Sequence, residues 1–297
     1  MLTRVHRHIP AFFTACVWGS TFVASKHVLS SGVQPIVLMT FRFTLSYIVL
    51  WIFCHEWQPI HFDRDELLLL LLGLSGGSLY FILEYSALQR TSAVNVGLIS
   101  ATVPIISVAI SMLWGKTKIW TCFIVGSILA LIGIALVILN GNFSLTVRPI
   151  GDAIAILSAI LWASYTVILD TIDKNKSELF VTRRLFFYAL LTLLPITILN
   201  TELYEFKAFA RIDVLLPSLY LGGFASALCI LLWNISINKI GLSNTNNYLY
   251  LLPVVSVLAS AIFVEGEISA YNIIGSIFIF VGIIVADKRK ASSLNNN

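Results

Sequence analysis

The chain has 297 residues, of which 58% are hydrophobic and only 11% charged, with a mean hydropathy of +0.90. A water-soluble domain carries about 25% charged residues because its surface must be wetted, so this surface faces lipid; helices of about 20 residues laid along the chain leave no length for a cytosolic ATPase module. The formal charge of +4 is too small for nucleic-acid binding, and its meaning lies in where the basic residues sit.

Long apolar runs predict an all-α integral membrane protein with ten transmembrane helices: Pro10 to Leu29, Pro35 to Phe53, Glu66 to Leu88, Ser92 to Trp114, Ile119 to Leu139, Gly151 to Leu169, Arg183 to Leu199, Val214 to Ile237, Leu242 to Val264 and Tyr271 to Ala286. Met1 to Pro10 holds Arg4, His6, Arg7 and His8 ahead of an apolar run, in the manner of a signal peptide. Lys26 and a second apolar run follow without a small-residue cleavage site, so the first run reads as a retained helix. The longest connections, Cys54 to Asp65 and Asn200 to Asp213, are rich in charge and aromatics and suit short interfacial helices. Cys16, Cys54, Cys122 and Cys229 are scattered without Cys-x-x-Cys spacing and read as packing residues.

Orientation follows from the basic residues by side. With the N-terminus inside, the cytoplasmic face receives Arg4, Arg7, Arg64, Lys116, Lys118, Lys174, Lys176, Arg183, Arg184, Lys239, Lys288, Arg289 and Lys290, against Lys26, Arg90, Arg148, Lys207 and Arg211 outside. Both termini are therefore expected in the cytoplasm.

The two halves resemble each other. At an offset of 149, Asn95, Pro104, Ser107, Ser111, Gly126, Ser127 and Gly133 fall on Asn244, Pro253, Ser256, Ser260, Gly275, Ser276 and Gly282. Nearer the start of each half an offset of 144 brings Ala15, Trp18 and Ser20 onto Ala159, Trp162 and Ser164. Apolar composition aligns Leu with Ile readily, but not Asn, Pro and paired Gly. Residues 1–148 and 149–297 thus read as two five-helix repeats, and because five is odd the second enters the membrane inverted, which suits alternating access. Gly126 with Gly133, and Gly275 with Gly282, share a helix face and read as packing seams, as do Ser107 with Ser111 and Ser256 with Ser260. Pro104 and Pro253 each remove a backbone hydrogen bond and should bend their helices, as a static kink or as a hinge.

Trp18-Gly19-Ser20, the run Tyr80-Phe81-Ile82-Leu83-Glu84-Tyr85-Ser86-Ala87-Leu88, the Tyr248 to Val254 stretch containing Pro253, and Gly266-Glu267 before the final Gly-x6-Gly helix resemble the EamA-type drug/metabolite transporters over nearly the whole chain. The resemblance implies a ten-helix, two-repeat exporter of amino acids or other small metabolites in the plasma membrane, here a bacterial inner membrane, as monomer or homodimer. One departure is visible: where the second half has Gly266-Glu267, the first has Thr117-Lys118.

Ionised groups inside spans are costly, about 2.5 to 3.5 kcal/mol on insertion scales, and so point to function. Arg42 lies about 10 Å and Glu84 about 6 Å below the outer surface at about 1.5 Å per residue. They read either as a neutralising salt bridge or as the mouth of a solute path, with Glu84 exchanging a proton and Arg42 holding a carboxylate. Trp18 and Trp162 lie mid-span, away from the interfacial belt where Trp collects. They are either packing residues or cavity walls, with Thr21 one turn beyond the first and Tyr165 beyond the second. Tyr80 stands one turn before Glu84. The amides Asn95, Asn234, Asn244 and Asn247, with Tyr248, serve either as interhelical glue or as partners for a polar solute.

Other chemistry is not signalled. Gly73 to Gly77 lacks the Lys-Ser or Lys-Thr of a phosphate loop, His55-Glu56 has no second zincin His, and there is no Gly-x-Ser-x-Gly elbow. No cofactor, metal or nucleic acid is expected; the partners are a small-molecule solute and the bilayer. Competing readings are a carrier of another solute class, such as a nucleotide derivative or drug-like cation, a polytopic membrane enzyme, or a non-transporting sensor.

Overall fold

The computed structural model describes residues 2–55, 59–61, 63–115, 120–142, 147–200, 203–263 and 267–287, and every regular element among them is helical. In chain order the long helices are α1 (Leu2–Ser30), α2 (Pro35–Phe53), α3 (Arg64–Leu88), α4 (Ala93–Leu113), α5 (Thr121–Leu139), α6 (Pro149–Leu169), α7 (Glu178–Asn200), α8 (Ile212–Ile240), α9 (Leu242–Phe263) and α10 (Ala270–Asp287). Among the described residues nine, α2 to α10, are long and apolar enough to cross a membrane. With 29 residues α1 has the length, but it is not among them. Gly266, Thr117-Lys118, Ile119, Phe143-Ser144, Glu56, Lys116, Lys288, Arg289 and Lys290 lie outside the described residues.

Local chemistry sets the helix ends. The Asp63 carboxylate accepts from the Glu66 N–H at 2.8 Å and the Ser92 hydroxyl from the Asn95 N–H at 3.1 Å, satisfying N–H groups that a helix start leaves unpaired. α7 begins five residues earlier than the apolar run suggests, because the Ser177 hydroxyl takes the Phe180 N–H at 3.2 Å. Arg183 and Arg184 are thereby placed inside the helix rather than at its mouth. Both are buried: Arg183 donates to the Cys54 carbonyl, and Arg184 pairs with Glu66 at 2.7 Å. A short 3-10 helix, Leu203–Ala210, occupies the connection expected to hold an interfacial helix. Gly241 alone links α8 to α9, at a φ of +86° that favours glycine.

Four helices are irregular inside. α4 breaks at Ala101-Thr102, just ahead of Pro104, and α9 passes through a 3-10 turn, Tyr248–Leu251, just ahead of Pro253. These are the bends expected of the two prolines. The apolar runs carry no proline in the middle of α3 or α8, yet each helix widens into a π-helical segment at a Gly-Gly pair: Leu74–Ser78 with Gly76-Gly77, and Tyr220–Leu228 with Gly222-Gly223. Such wide turns leave main-chain groups to be satisfied from elsewhere.

Packing divides the bundle. α5 and α10 lie back to back along the expected glycine seam, where a Cβ on Gly133 would stand 2.5 Å from the Gly275 carbonyl oxygen and one on Gly126 2.5 Å from that of Gly282. The largest core cluster lies elsewhere, between α2, α3, α6, α7 and α8, around Phe43, Trp162, Tyr165, Phe186 and Trp233.

Candidate functional site

The site forms where α1, α2, α3, α6 and α8 meet. Trp18 of α1 meets Trp162 of α6 edge to face, with ring centroids 5.4 Å apart, and Trp233 of α8 at 4.9 Å. Trp162 in turn touches Tyr80 of α3 at 4.8 Å and Tyr165 at 5.1 Å. These are contact distances for aromatic rings, so a solute can enter between them only if the rings part.

The polar groups around this cluster are bound unevenly. The Trp18 indole N–H donates to the Ala225 carbonyl at 2.8 Å, and the Ser46 hydroxyl donates to that of Gly222 at 2.8 Å; both acceptors lie in the wide turn of α8. Next to Ala225, the Ser226 hydroxyl accepts from Arg42 at 3.1 and 3.3 Å. The Arg42 guanidinium also covers the Phe81 ring at 5.5 Å, a cation–π contact. Tyr80 donates its hydroxyl to Glu84 at 2.8 Å. The contacts thus close a circuit from Trp18 through Ala225-Ser226, Arg42, Phe81, Tyr80 and Trp162 back to Trp18. Below it, Tyr165 donates to the Asn234 side-chain carbonyl at 2.6 Å, and the Asn234 amide donates to Thr182 at 2.8 Å. The wide turn of α3 rests on the same tyrosine, since a Cβ on Gly76 would lie 2.3 Å from the Tyr165 ring.

Several buried polar atoms here have no partner: the indole nitrogens of Trp162 and Trp233, and the side-chain oxygens of Asn246 and Asn247. Leaving such a group unbonded costs about 1–3 kcal/mol. The Asn246 amide donates to Thr166 at 3.2 Å, one turn beyond Trp162 on α6, so α9 reaches the cluster from this direction.

The family model of EamA-like transporters matches residues 8–139 and again residues 149–286. The chain belongs to the EamA-like transporter family. Among its relatives, the uncharacterized transporter YyaM of Bacillus subtilis (strain 168) is 25% identical over 90% of this chain and 89% of its own length. An uncharacterized transporter of Archaeoglobus fulgidus is 22% identical over 95% and 98%, and Protein PecM of Dickeya dadantii (strain 3937) 24% identical over 93% and 90%. One solved structure, described only as the crystal structure of a protein, superposes with a TM-score of 0.73 over 95% of this chain and 96% of that one, at 17% identity, and so shares the fold. The EamA-like chain is thus a multi-pass membrane protein, and its Bacillus and Archaeoglobus relatives carry transporter names.

The residues singled out from sequence divide into two groups. Trp18, Arg42, Tyr80, Glu84, Trp162, Tyr165 and Asn234 come together in this EamA-like core. Arg42 and Glu84 do not form the ion pair weighed for them, because each side chain is engaged by other partners. The Thr21 hydroxyl bonds back to the Trp18 carbonyl at 2.6 Å and so belongs to the helix turn. Asn95 lies at one end of the bundle, where its amide and the Thr91 hydroxyl donate to Asp152 at 2.9 and 2.6 Å. Asn244 of α9 donates to the Ile240 carbonyl at the end of α8, across the Gly241 link. Tyr248, next to the buried Asn247, hydrogen-bonds with His8 at 3.0 Å and packs against the core cluster. Trp233, Ser226 and Phe81 were missed. Trp233 has no tryptophan counterpart in the first half, although its place beside Asn234, inside α8, is the same kind of signal.

Proposed function

We propose that this chain is a secondary transporter that carries small organic metabolites, amino acids or related compounds, outward across the plasma membrane by alternating access. Ten helices form two inverted five-helix halves, 1–148 and 149–297, with both termini cytoplasmic. The transporter names of its relatives and the double match to one family model support the reading. So does the recurrence of one device per helix pair: Gly-Gly wide turns in α3 and α8, proline breaks in α4 and α9, and facing glycines in α5 and α10. Irregular backbone inside membrane helices is tolerated where protein or a solute path surrounds it.

The observation that carries the proposal is the aromatic cluster itself. Trp18, Trp162 and Trp233 meet at the junction of three helices, two of them with buried indole N–H groups that have no acceptor. Rings supply apolar contact for a solute and the free N–H groups supply donors, a pairing typical of small-molecule sites. In operation the rings part on one face, admit the solute, and close as the other face opens.

The test has two stages. Metabolites are compared between medium and cytosol with the gene deleted and overexpressed, and the solutes that change are then assayed for flux in proteoliposomes. Trp18→Ala and Trp162→Ala are expected to cut that flux at least tenfold while the protein stays inserted. Normal flux in both variants removes the site from the cluster.

A further inference from the structure

Glu84 differs from four other acids of the bundle. Asp152 is held by Thr91, Asn95 and the Arg148 N–H, Glu66 by Arg184 and Tyr188, Asp213 by Arg211, and Asp65 by Lys176. Glu84 lies within a membrane-crossing helix, has no ion pair, and accepts a single hydrogen bond, from Tyr80. That tyrosine is also the ring in contact with Trp162, which meets Trp18, which holds the wide turn of α8 through the Ala225 carbonyl. One side chain therefore joins an intramembrane carboxylate to the whole aromatic cluster.

The groups facing Glu84 define what its charge can do. From α2 comes the Arg42 guanidinium, within electrostatic reach though bound to Ser226; Tyr47 of the same helix is turned to Phe187. On α3 itself Tyr80 and Tyr85 are in reach. On α6 the titratable side chains are Asp152 and Tyr165, occupied by Thr91 with Asn95 and by Asn234 respectively. The start of α4, Ala93–Ser100, contributes no titratable group. A phenol bonded to an ionised carboxylate makes a charge-assisted bond about twice as strong as a neutral one. Taking up a proton removes that assistance and the attraction to Arg42 at once, and it loosens Tyr80.

We propose that Glu84 is a proton-binding site whose charge state sets the position of Tyr80 and, through it, the packing of Trp162 against Trp18. The inference deepens and rests on the transporter reading, since it names a proton as the ion to which solute movement is coupled. Ionised Glu84 holds Tyr80 against the cluster; protonated Glu84 releases it, and the rings are free to part.

The experiment needs no solute. Purified full-length protein in lipid nanodiscs is titrated with acid while tryptophan emission and the infrared carboxyl band are recorded. The wild type is expected to show a reversible emission change in step with the appearance of a protonated carboxyl band that Glu84→Gln deletes. Glu84→Gln is expected to lose the emission change as well. Tyr80→Phe, which keeps the ring, is expected to keep the carboxyl band and lose most of the emission change. An emission change that persists unaltered in Glu84→Gln, or in Tyr80→Phe with the carboxyl band intact, overturns the proposal. Solute flux in liposomes without any such titration sinks the proton site and spares the transporter reading; titration without flux does the reverse.

Discussion

The seam between α5 and α10 and the cluster joining α1, α3, α6 and α8 are both interior contacts between membrane helices, yet they are built from opposite materials. At the seam, glycines bring main chain against main chain, with Gly133 and Gly275 each blocking a side chain on the other. At the cluster, large rings fill the space, two helices are widened into π turns, and indole N–H groups stay unbonded. Lipid is as apolar as leucine, so helices associate by close packing and hydrogen bonds rather than by the hydrophobic effect. The seam uses close packing to the limit. The cluster keeps unspent hydrogen-bonding capacity. A seam of glycines and a cluster of rings are thus separated within a single bundle.

Four substitutions test that division. The largest effect is expected at the seam: Gly133→Leu forces a side chain into backbone and should cost more than about 3 kcal/mol, read as loss of monodisperse protein in detergent. Gly223→Ala is its control, since a Cβ there has open space around it, and its thermal midpoint should match wild type. Equal behaviour of the two would erase the distinction. At the cluster, Trp18→Phe keeps the ring and deletes the donor to Ala225; losing one such bond costs about 1 kcal/mol. Amide exchange within 220–228 should then quicken about fivefold, and an unchanged rate would mean that Trp18 does not hold the wide turn. The smallest effect belongs to Asn95→Ala, near the α3–α4 turn with Thr91 and Asp152. Stability should fall by about 1 kcal/mol with flux within twofold of wild type, and abolished flux would extend the site to that turn.

Much of this architecture is legible in the chain. Span positions follow from apolar runs, and the seam follows from Gly-x6-Gly because a missing side chain has one meaning at a helix face. The proline breaks follow from the missing N–H. The wide turns were not legible, because Gly-Gly inside an apolar run is equally compatible with a straight helix and a π turn. Mid-span Trp18 and Trp162 pointed to the aromatic cluster, since an aromatic far from the interface has few reasons to be there. Asn95 and Asn244 make their hydrogen bonds elsewhere. An amide near a helix end finds a cap or a neighbouring carboxylate as readily as a solute, and spacing along one helix does not say which.

Arg183 and Arg184 carry a consequence for how the chain is made. Under the orientation proposed above, they are among the basic residues near the start of α7 that an insertion machinery reads when it fixes which way a helix enters. In the finished protein the same guanidinium groups are withdrawn from water, spent on the Cys54 carbonyl and Glu66 and sandwiched by the faces of Trp51, Phe180 and Phe187. On that proposal each arginine has two successive employments, first as a topological marker and then as a tertiary clasp. Replacing either with lysine preserves the first and forfeits the second, so biogenesis and final assembly can be separated at a single codon.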